Sequence, residues 1–208
     1  MILTYQERKR IIIFLKIILI ILIIIYSLKK KCIVSFVLLL LFIILFLYYK
    51  YISKIKETTL CLIVKDNQVL MMLRNKKKND VHINKYNGLG GKLEKGESKE
   101  TCVLREVYEE AGIVLTDYYY VGKVIFKNFG YKIGTEVMYC FVANDYRNEI
   151  SECDEGELEW VCKDKILDLP LWDGDKYFIM NIIYNKKFIA FLHYDKDRVI
   201  DYKIKYKR

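Results

Sequence analysis

The sequence has few of the residues that build zinc sites and nucleophilic triads. It contains only two histidines, His82 and His193, and its six cysteines occur singly, with no C-x-x-C pair. Because zinc sites in proteins are built from closely spaced cysteines and histidines, we expect no zinc site. The sequence also offers no Ser-His-Asp or Cys-His arrangement, and we interpret the two histidines as loop and strand residues rather than catalysts. Isolated cysteines are typical of a reduced cytoplasmic domain in which thiols pack as small apolar groups.

Small residues are missing from the N-terminal part of the chain. The first glycine is Gly88 and the first alanine is Ala111, so a cleaved signal peptide, which ends in small residues, is disfavoured. Residues 11–28 and 32–49 are apolar runs of 18 residues each, separated by three lysines. As helices they would each span about 27 Å, close to the hydrocarbon thickness of a bilayer. We therefore predict a transmembrane hairpin in residues 1–56, with the lipid bilayer as its partner; a re-entrant hairpin and a buried soluble hairpin are the alternatives.

Acidic residues are scarce in the same segment. Residues 1–56 hold ten Lys or Arg and one Glu, whereas the 25 basic and 25 acidic residues of 57–208 cancel, so the net charge of +9 belongs to the N-terminal segment. Basic residues that flank apolar runs suit a membrane surface better than a nucleic-acid groove. We therefore expect no specific nucleic-acid binding, and we expect a membrane-anchored protein whose domain at 57–208 faces the cytoplasm. The sequence indicates no particular protein partner.

Residues 57–208 alternate between short apolar runs and polar turns, which predicts one α+β domain. The predicted strands are residues 58–64, 68–74, 119–129, 135–143, 157–161, 187–194 and 198–204. A turn at Asp66 and Asn67 joins the first two strands, and the polar residues 75–85 are predicted to form a loop. Helices are predicted at 98–111, between Ser98 as the N-cap and Gly112 as the stop, and at 173–187.

Three glutamates share one face of the first predicted helix of this domain. Residues three and four apart lie side by side on a helix, so Glu106, Glu109 and Glu110 fall within about a hundred degrees of arc, beside an apolar stripe that seats the helix on the core. Carboxylates held this close repel one another unless they share a cation, and hard oxygen ligands select Mg²⁺, Mn²⁺ or Ca²⁺. A solvated acidic face is the alternative interpretation.

The residues around these glutamates fit a longer pattern, G-x5-E-x7-R-E-U-x-E-E-x-G-U, in which U is apolar. The constrained positions are filled in order by Gly91, Glu97, Arg105, Glu106, Val107, Glu109, Glu110, Gly112 and Ile113. This segment resembles the signature box of the Nudix (MutT-like) hydrolases. The resemblance implies the Nudix fold, a mixed β-sheet core flanked by helices. It also implies hydrolysis of a phosphoric anhydride bond in a nucleoside diphosphate derivative, with Mg²⁺ or Mn²⁺ as the cofactor.

The resemblance further implies roles for residues in and near the box. The residues implied to bind metal are Gly90, through its carbonyl, Glu106, Glu109, Glu110 and Glu155. The residues implied in catalysis are Glu110, Glu155, Glu109 and Arg105. Glu110 is the first choice for the general base and Glu155 the second, because the sequence does not fix which carboxylate faces the attacking water. Glu97 is placed to pair with Arg105 and to brace the loop against the helix.

Segments outside the box resemble one branch of this family, the 8-oxo-dGTP diphosphatases; they are residues 86–92, 152–160, 169–178 and 186–204. This resemblance implies that an oxidized purine nucleoside triphosphate is hydrolysed to the monophosphate and pyrophosphate. The substrate contacts that it implies are Thr59, Asn87, Leu89, Gly90, Gly91, Lys92, Trp172 and Asp175. Asn87 would contact the base edge, and Trp172 would stack on the base. In one departure, Gly174 separates Asp173 from Asp175 where that branch carries adjacent aspartates, so a preference for 8-oxoguanine over other oxidized purines is not implied.

Other interpretations of these residues stay open at this point. Trp172 could anchor the core, Asn87 could form a turn, and Asp173 or Asp175 could cap the following helix. The substrate could be another nucleoside diphosphate derivative, such as ADP-ribose, a dinucleoside polyphosphate or a capped RNA end. The chain could also be a membrane-anchored sensor that binds a nucleotide without cleaving it, or the N-terminal hairpin could be the functional part.

Overall fold

The computed structural model describes residues 14–23, 31–52, 55–78, 80–131 and 134–206. They belong to two units, Met1–Lys54 and Ile55–Arg208. In the first unit, residues 14–23 form helix α1 and Lys31–Ile52 form helix α2. The rings of Phe14 and Tyr48 stack at a centroid distance of 4.9 Å.

Within the described ranges, no helix is both long and apolar enough to cross a membrane. The structure therefore does not support the transmembrane hairpin predicted at 11–28 and 32–49, or the lipid bilayer as its partner. Part of the first run, residues 11–13 and 24–28, lies outside the described ranges.

The second unit is built on a mixed β-sheet. Its strands are β1 (Ile55–Lys65), β2 (Gln68–Leu73), β3 (Tyr86–Asn87), β4 (Val114–Lys127), β5 (Thr135–Arg147), β6 (Glu157–Cys162), β7 (Phe188–Asp195) and β8 (Arg198–Tyr206). They follow the order β3-β2-β1-β5-β4-β7-β8, and β6 pairs with β2. The pairs β1–β5 and β4–β7 are parallel, and the other pairs are antiparallel. The mixed sheet implied by the sequence resemblance is thus confirmed.

Helices α3 (Lys99–Ala111) and α4 (Ile179–Ile183) pack against two apolar clusters. Because side chains alternate along a strand, neighbouring residues of β1 enter different clusters. Leu62 lies in the cluster that contains α4, whereas Cys61 and Ile63 lie in the cluster that contains α3. Both helices are therefore seated on the sheet by apolar side chains.

The local signals for α3 are confirmed. The Ser98 hydroxyl accepts a 3.0 Å hydrogen bond from the Thr101 backbone N–H, which caps the start of the helix. Gly112 ends the helix in the left-handed conformation with φ of +70°, where a side chain would be strained. The loop at 75–85 and the turn at Asp66 are also present.

The helix predicted at 173–187 is wrong in extent. The segment instead contains a 3₁₀ turn at Asp175–Tyr177 and the five-residue helix α4. Phe178, with φ of −133°, interrupts the helical backbone between them, and Asn185, with φ of +50°, follows the end of α4. The two-residue strand β3 was not predicted, because it is too short to show an alternating pattern.

Candidate active site

Residues 88–93 form a loop that is fixed along β1, and we call it the glycine loop. Cys61 and Leu89 exchange backbone hydrogen bonds of 2.6 and 3.0 Å, and the Thr59 N–H donates to the Gly91 carbonyl at 2.8 Å. At Gly90, with φ of +140°, a Cβ would lie 2.4 Å from the Thr59 carbonyl oxygen. Glycine is therefore required at this position for both its backbone angle and its close approach to β1.

The predicted ion pair between Glu97 and Arg105 is present and bidentate. Arg105 Nε and Nη2 donate to the two oxygens of Glu97 at 2.9 and 3.0 Å, and the hydrogen bonds from Arg105 hold the pKa of Glu97 down to about 2. Arg105 Nη2 also donates to the Lys92 carbonyl at 3.2 Å. The pair thus joins the start of α3 to the end of the glycine loop, in a geometry that suits a planar guanidinium.

Glu110 is the buried acid of the site. Its side chain accepts a 2.7 Å hydrogen bond from the Gly90 backbone N–H, and the residue is only 5% exposed. Burial raises the pKa of Glu110 to about 8, and the nearby carboxylates of Glu155 and Glu106 act in the same direction. A carboxylate with a pKa this close to neutrality is suited to accept a proton from water.

Glu106 lies next to Glu110, against the backbone of the glycine loop. A Cβ on Gly91 would lie 2.4 Å from the Glu106 carboxyl group, so the absence of a side chain at Gly91 leaves room for that group. Burial raises the pKa of Glu106, although the hydrogen bond from Arg105 opposes the shift. Glu155, on the segment before β6, repels both Glu106 and Glu110.

Arginine and lysine side chains compensate part of this negative charge. Arg74, the residue after β2, forms an ion pair with Glu155, and its Nη1 lies 3.7 Å from Oε1 of Glu110. Lys77 forms a second ion pair with Glu155. Asp80 holds Arg74 on its other side, with Oδ2 accepting from Arg74 Nε at 2.6 Å.

The carboxylates fit a divalent cation by their chemistry. Across the residues that the structure describes, no three His, Cys, Asp or Glu side chains are already arranged around a common metal position. Glu106 and Glu110 are nevertheless held near each other and near Glu155 with raised pKa values, so a hard cation would relieve both their burial and their repulsion. Glu106, Glu110 and Glu155, with the Gly90 carbonyl, are the groups that would hold it.

Glu109 is placed differently from the other two glutamates of the helix face. Its side chain is 56% exposed, and its Oε2 accepts a 3.0 Å hydrogen bond from Arg105 Nη1. Glu109 does not line the cavity described next. The structure thus brings Glu106 and Glu110 to the cavity and leaves Glu109 at its outer side.

A cavity of about 350 Å³ opens in front of these carboxylates. We call its charged or polar lining residues the carboxylate end; they include Thr58, Thr59, Arg74, Gly90, Gly91, Lys92, Glu106, Glu110 and Glu155. We call its aromatic, apolar and amide lining residues the aromatic end; they include Leu60, Tyr86, Asn87, Phe126, Phe129, Met138, Trp172, Phe178 and Ile179, together with His82 and Asp175. Of the substrate contacts implied by the sequence resemblance, only Leu89 does not line this cavity, because its side chain is fully buried in the α3 cluster.

Trp172 and Asp175 form the far wall of the cavity. The Trp172 ring packs against Phe129 at 4.8 Å and 65°, so the residue both contributes to the core and faces the cavity. Asp175 Oδ2 accepts a 3.1 Å hydrogen bond from the Trp172 backbone N–H, and burial raises the pKa of Asp175 to about 7. Asp173 instead accepts from the Val199 N–H at 2.8 Å, and no side chain caps the 3₁₀ turn that follows.

The position between the two aspartates, Gly174, has no room for a side chain. Its N–H donates a 2.9 Å hydrogen bond to the Tyr194 hydroxyl, and a Cβ at this position would lie 2.2 Å from that oxygen. The buried Tyr194 thus occupies the space that a larger residue would need.

Several cavity residues were not identified from the sequence. They are Lys56, Thr58, Leu60, Tyr86, Gly88, Phe126, Phe129, Glu136, Met138, Phe178 and Ile179. Most lie on strands whose alternation predicts a buried face, and nothing local distinguishes a cavity wall from a packed core. His82 was interpreted as a loop residue, which it is, but it also lines the cavity.

Comparison with known proteins places the chain in a family. The family model for the NUDIX domain matches residues 54–182. The chain is 30% identical over 152 residues to an oxidized purine nucleoside triphosphate hydrolase of Danio rerio, covering 72% of this chain and 94% of the relative. It is 29% identical over 150 residues to the protein of the same name from Mus musculus, covering 71% of this chain and 92% of that relative.

A solved structure supports the same assignment. The MutT protein from Bacillus halodurans superimposes with a TM-score of 0.64 at 28% sequence identity, covering 72% of this chain and 97% of that one. The family match spans more than half of the chain and includes the glycine loop, α3 and the carboxylates that line the cavity. The chain therefore belongs to the Nudix family of hydrolases.

Proposed function

We propose that this Nudix hydrolase cleaves purine nucleoside triphosphates, with oxidized purines such as 8-oxo-dGTP as its preferred substrates, and releases the monophosphate and pyrophosphate. The observation that carries the proposal is that one cavity joins an aromatic and amide end to a carboxylate end. Its volume of about 350 Å³ lies in the range of small-molecule sites. The names of the two animal relatives point to the same substrate class.

The aromatic end has the chemistry to bind a purine. Trp172 supplies an aromatic surface for stacking, and such a contact contributes about 1–3 kcal/mol per base. The side-chain amide of Asn87 can both donate and accept hydrogen bonds, and this group makes no hydrogen bond to the residues that the structure describes. Asp175, with a pKa of about 7, can donate as a carboxylic acid or accept as a carboxylate. Oxidation at C8 converts the purine N7 from an acceptor to a donor, so an acceptor beside the base would favour the oxidized form.

The carboxylate end has the chemistry for phosphoric anhydride hydrolysis. When bound there, a divalent cation such as Mg²⁺ supplies Lewis acidity and neutralises phosphate charge. Glu110 is our first choice to accept the proton of the attacking water, and Glu155 is the second. Gly90 fixes the Glu110 carboxyl by its N–H, and the Glu97–Arg105 pair holds the loop in place. Arg74 and Lys77 lie beside Glu155, where they would also meet a phosphate chain.

A substrate panel tests the proposal. The full chain, with Mg²⁺, is given 8-oxo-dGTP, dGTP and ADP-ribose in turn, and chromatography measures the nucleoside monophosphate together with the co-product, which is pyrophosphate from the triphosphates and ribose 5-phosphate from ADP-ribose. We expect the highest kcat/KM on 8-oxo-dGTP, with pyrophosphate as the product. Faster turnover of ADP-ribose would assign the chain to another Nudix substrate class, and binding of nucleotide without hydrolysis would make it a sensor. A cytoplasmic location for this domain remains a prediction.

A further inference from the structure

Trp172 makes one directional contact within the cavity wall. Its indole Nε1 donates a 2.9 Å hydrogen bond to Nδ1 of His82, which lies on the loop between β2 and β3. The Trp172 ring also makes edge-on contacts with Phe129 at 65° and with His82 itself at 85°, and Lys85 Nζ lies over the ring, 5.7 Å from its centroid. Such contacts hold the ring in place but constrain its rotation less than a linear hydrogen bond does.

Contacts with Asp80 and Phe129 fix the position of His82. The His82 backbone N–H donates to Asp80 Oδ1 at 3.0 Å, while the other oxygen of Asp80 is bound by Arg74. The imidazole also packs against Phe129 at a centroid distance of 6.1 Å. The position of the Trp172 ring is therefore tied, through His82 and Asp80, to the arginine that contacts Glu110 and Glu155.

The hydrogen bond fixes the protonation state of His82. An indole nitrogen can only donate, so Nδ1 must be an unprotonated acceptor, and the neutral ring carries its proton on Nε2. Burial lowers the pKa of His82 and favours this neutral form, as do the charges of Arg74 and Lys56. The carboxylates of Asp80 and Glu136 oppose the shift.

We propose that His82 is a positioning residue for nucleobase binding, which, as a neutral acceptor, fixes the Trp172 indole in the orientation that presents its face to the base. The inference rests on the proposed function, because it assigns a base to the Trp172 end of the cavity. It follows that His82 acts on substrate binding and not on the chemical step. Protonation of His82 at Nδ1 would place an N–H donor opposite the Trp172 indole N–H, so the hydrogen bond that holds the indole would be lost.

Two substitutions of His82 test its role as a hydrogen-bond acceptor separately from its role as a packed aromatic ring. His82→Asn keeps an acceptor close to the position of Nδ1 and does not titrate, whereas His82→Phe keeps an aromatic ring against Phe129 and has no acceptor. We expect KM for 8-oxo-dGTP at pH 7.5 to rise about 3–10-fold in His82→Phe, as for the loss of one hydrogen bond, with kcat changed less than twofold. We expect His82→Asn to stay within about twofold of the parent KM, because its acceptor replaces the lost one.

A pH series adds a readout that a packing role would not move. As the pH is lowered through the range in which His82 becomes protonated, KM of the parent should rise relative to that of His82→Asn, because only the parent loses its acceptor by protonation. Dividing the KM of the parent by the KM of His82→Asn removes the contribution of Asp175, because Asp175 is present in both proteins. Equal KM values for the Phe and Asn variants at pH 7.5 would overturn the inference, as would a KM ratio that stays constant through the pH at which NMR shows the His82 ring to be protonated.

Fluorescence tests the contact without any substrate. The chain has two tryptophans, so Trp160→Phe leaves Trp172 as the only reporter. In this background, acidification should change the Trp172 emission more with His82 present than with His82→Asn, in which Asp175 still titrates beside Trp172. An emission that is insensitive to both pH and His82→Phe would contradict the hydrogen bond itself. If the parent hydrolyses no nucleoside triphosphate, the proposed function fails, while this titration still decides whether His82 holds the indole.

Discussion

The Gly90 backbone N–H donates a 2.7 Å hydrogen bond to the carboxyl group of Glu110. Gly90 is itself held against β1 by its neighbours in the glycine loop, and Glu110 is buried on α3. This hydrogen bond therefore fixes the Glu110 carboxyl group relative to the glycine loop. The Gly90 carbonyl of the same loop would also contact a cation.

Replacing Glu110 with Gln should leave the fold intact and remove most of the turnover. A Gln oxygen can still accept from Gly90, but the side chain can no longer accept a proton from water, so we expect kcat to fall at least about 100-fold. Pyrophosphate release and far-UV circular dichroism give the two measurements. Glu100→Gln is the matched control, because Glu100 lies on the same helix and pairs with Lys99. Unchanged turnover in Glu110→Gln would remove Glu110 from the catalytic residues.

Arg74 should compete with divalent cations for the carboxylates that it contacts. It forms an ion pair with Glu155 and lies 3.7 Å from Glu110, so its removal leaves more negative charge for a cation. We expect Arg74→Gln to bind Mn²⁺ about 3–10-fold more tightly in the absence of nucleotide, which corresponds to roughly 1 kcal/mol. Titration calorimetry on the nucleotide-free chain measures this affinity, with Lys99→Gln as the control. Weaker binding than in the parent would show that Arg74 orders the carboxylates instead of competing for them.

A methyl group on Gly91 should displace Glu106. The Cβ of Gly91→Ala would lie 2.4 Å from the Glu106 carboxyl, well inside contact distance. Because the helix is fixed by its apolar face, the carboxyl has to rotate away from its position beside Glu110. We expect Mn²⁺ affinity and turnover each to fall about 10-fold, the scale of effect reported for supporting groups at metal sites. Calorimetry and pyrophosphate release measure the two; a variant that matches the parent in both would mean that Glu106 is not needed where it lies.

The stability of the domain should depend on pH through Asp175. Its folded-state pKa of about 7 lies above the ordinary value of 3.8, so the folded state holds a proton that the unfolded state has lost between about pH 4 and 7. The free energy of unfolding therefore falls as the pH rises through this range and levels off above it. Asp175→Asn removes this contribution, so its stability relative to the parent should increase from pH 4 to pH 7, by up to about 4 kcal/mol. Urea unfolding at the two pH values measures the difference, which should vanish near pH 4.

Much of α3 could be predicted because its signals are local. Ser98, Gly112 and the Glu97–Arg105 pair are close in sequence, and short-range hydrogen bonds determine their structure. The segment after Asp173 shows the opposite case. Its apolar residues fit a long helix by spacing, but they are buried around a chain that turns at Phe178. Packing against the sheet overrode the helical preference there.

The aromatic end of the cavity could not be predicted because it is assembled over long range. Phe126 and Phe129, at the end of β4, reach the cavity only through the strand order β1-β5-β4. His82 and Trp172 are 90 residues apart in sequence and lie on different loops. No local pattern records such a contact, so the sequence resemblance supplied Trp172 and the structure alone supplied its partner.

The contact of Gly174 with Tyr194 constrains how this active site can diverge. A single Gly174→Asp change would bring its Cβ to 2.2 Å from the Tyr194 hydroxyl, so a second acidic group beside Asp175 cannot be gained in one step. Tyr194 would have to shrink first, which would open a void in a packed core and weaken the fold before any benefit appeared. The two positions are therefore coupled, and Gly174→Asp should cost less stability when a smaller residue replaces Tyr194.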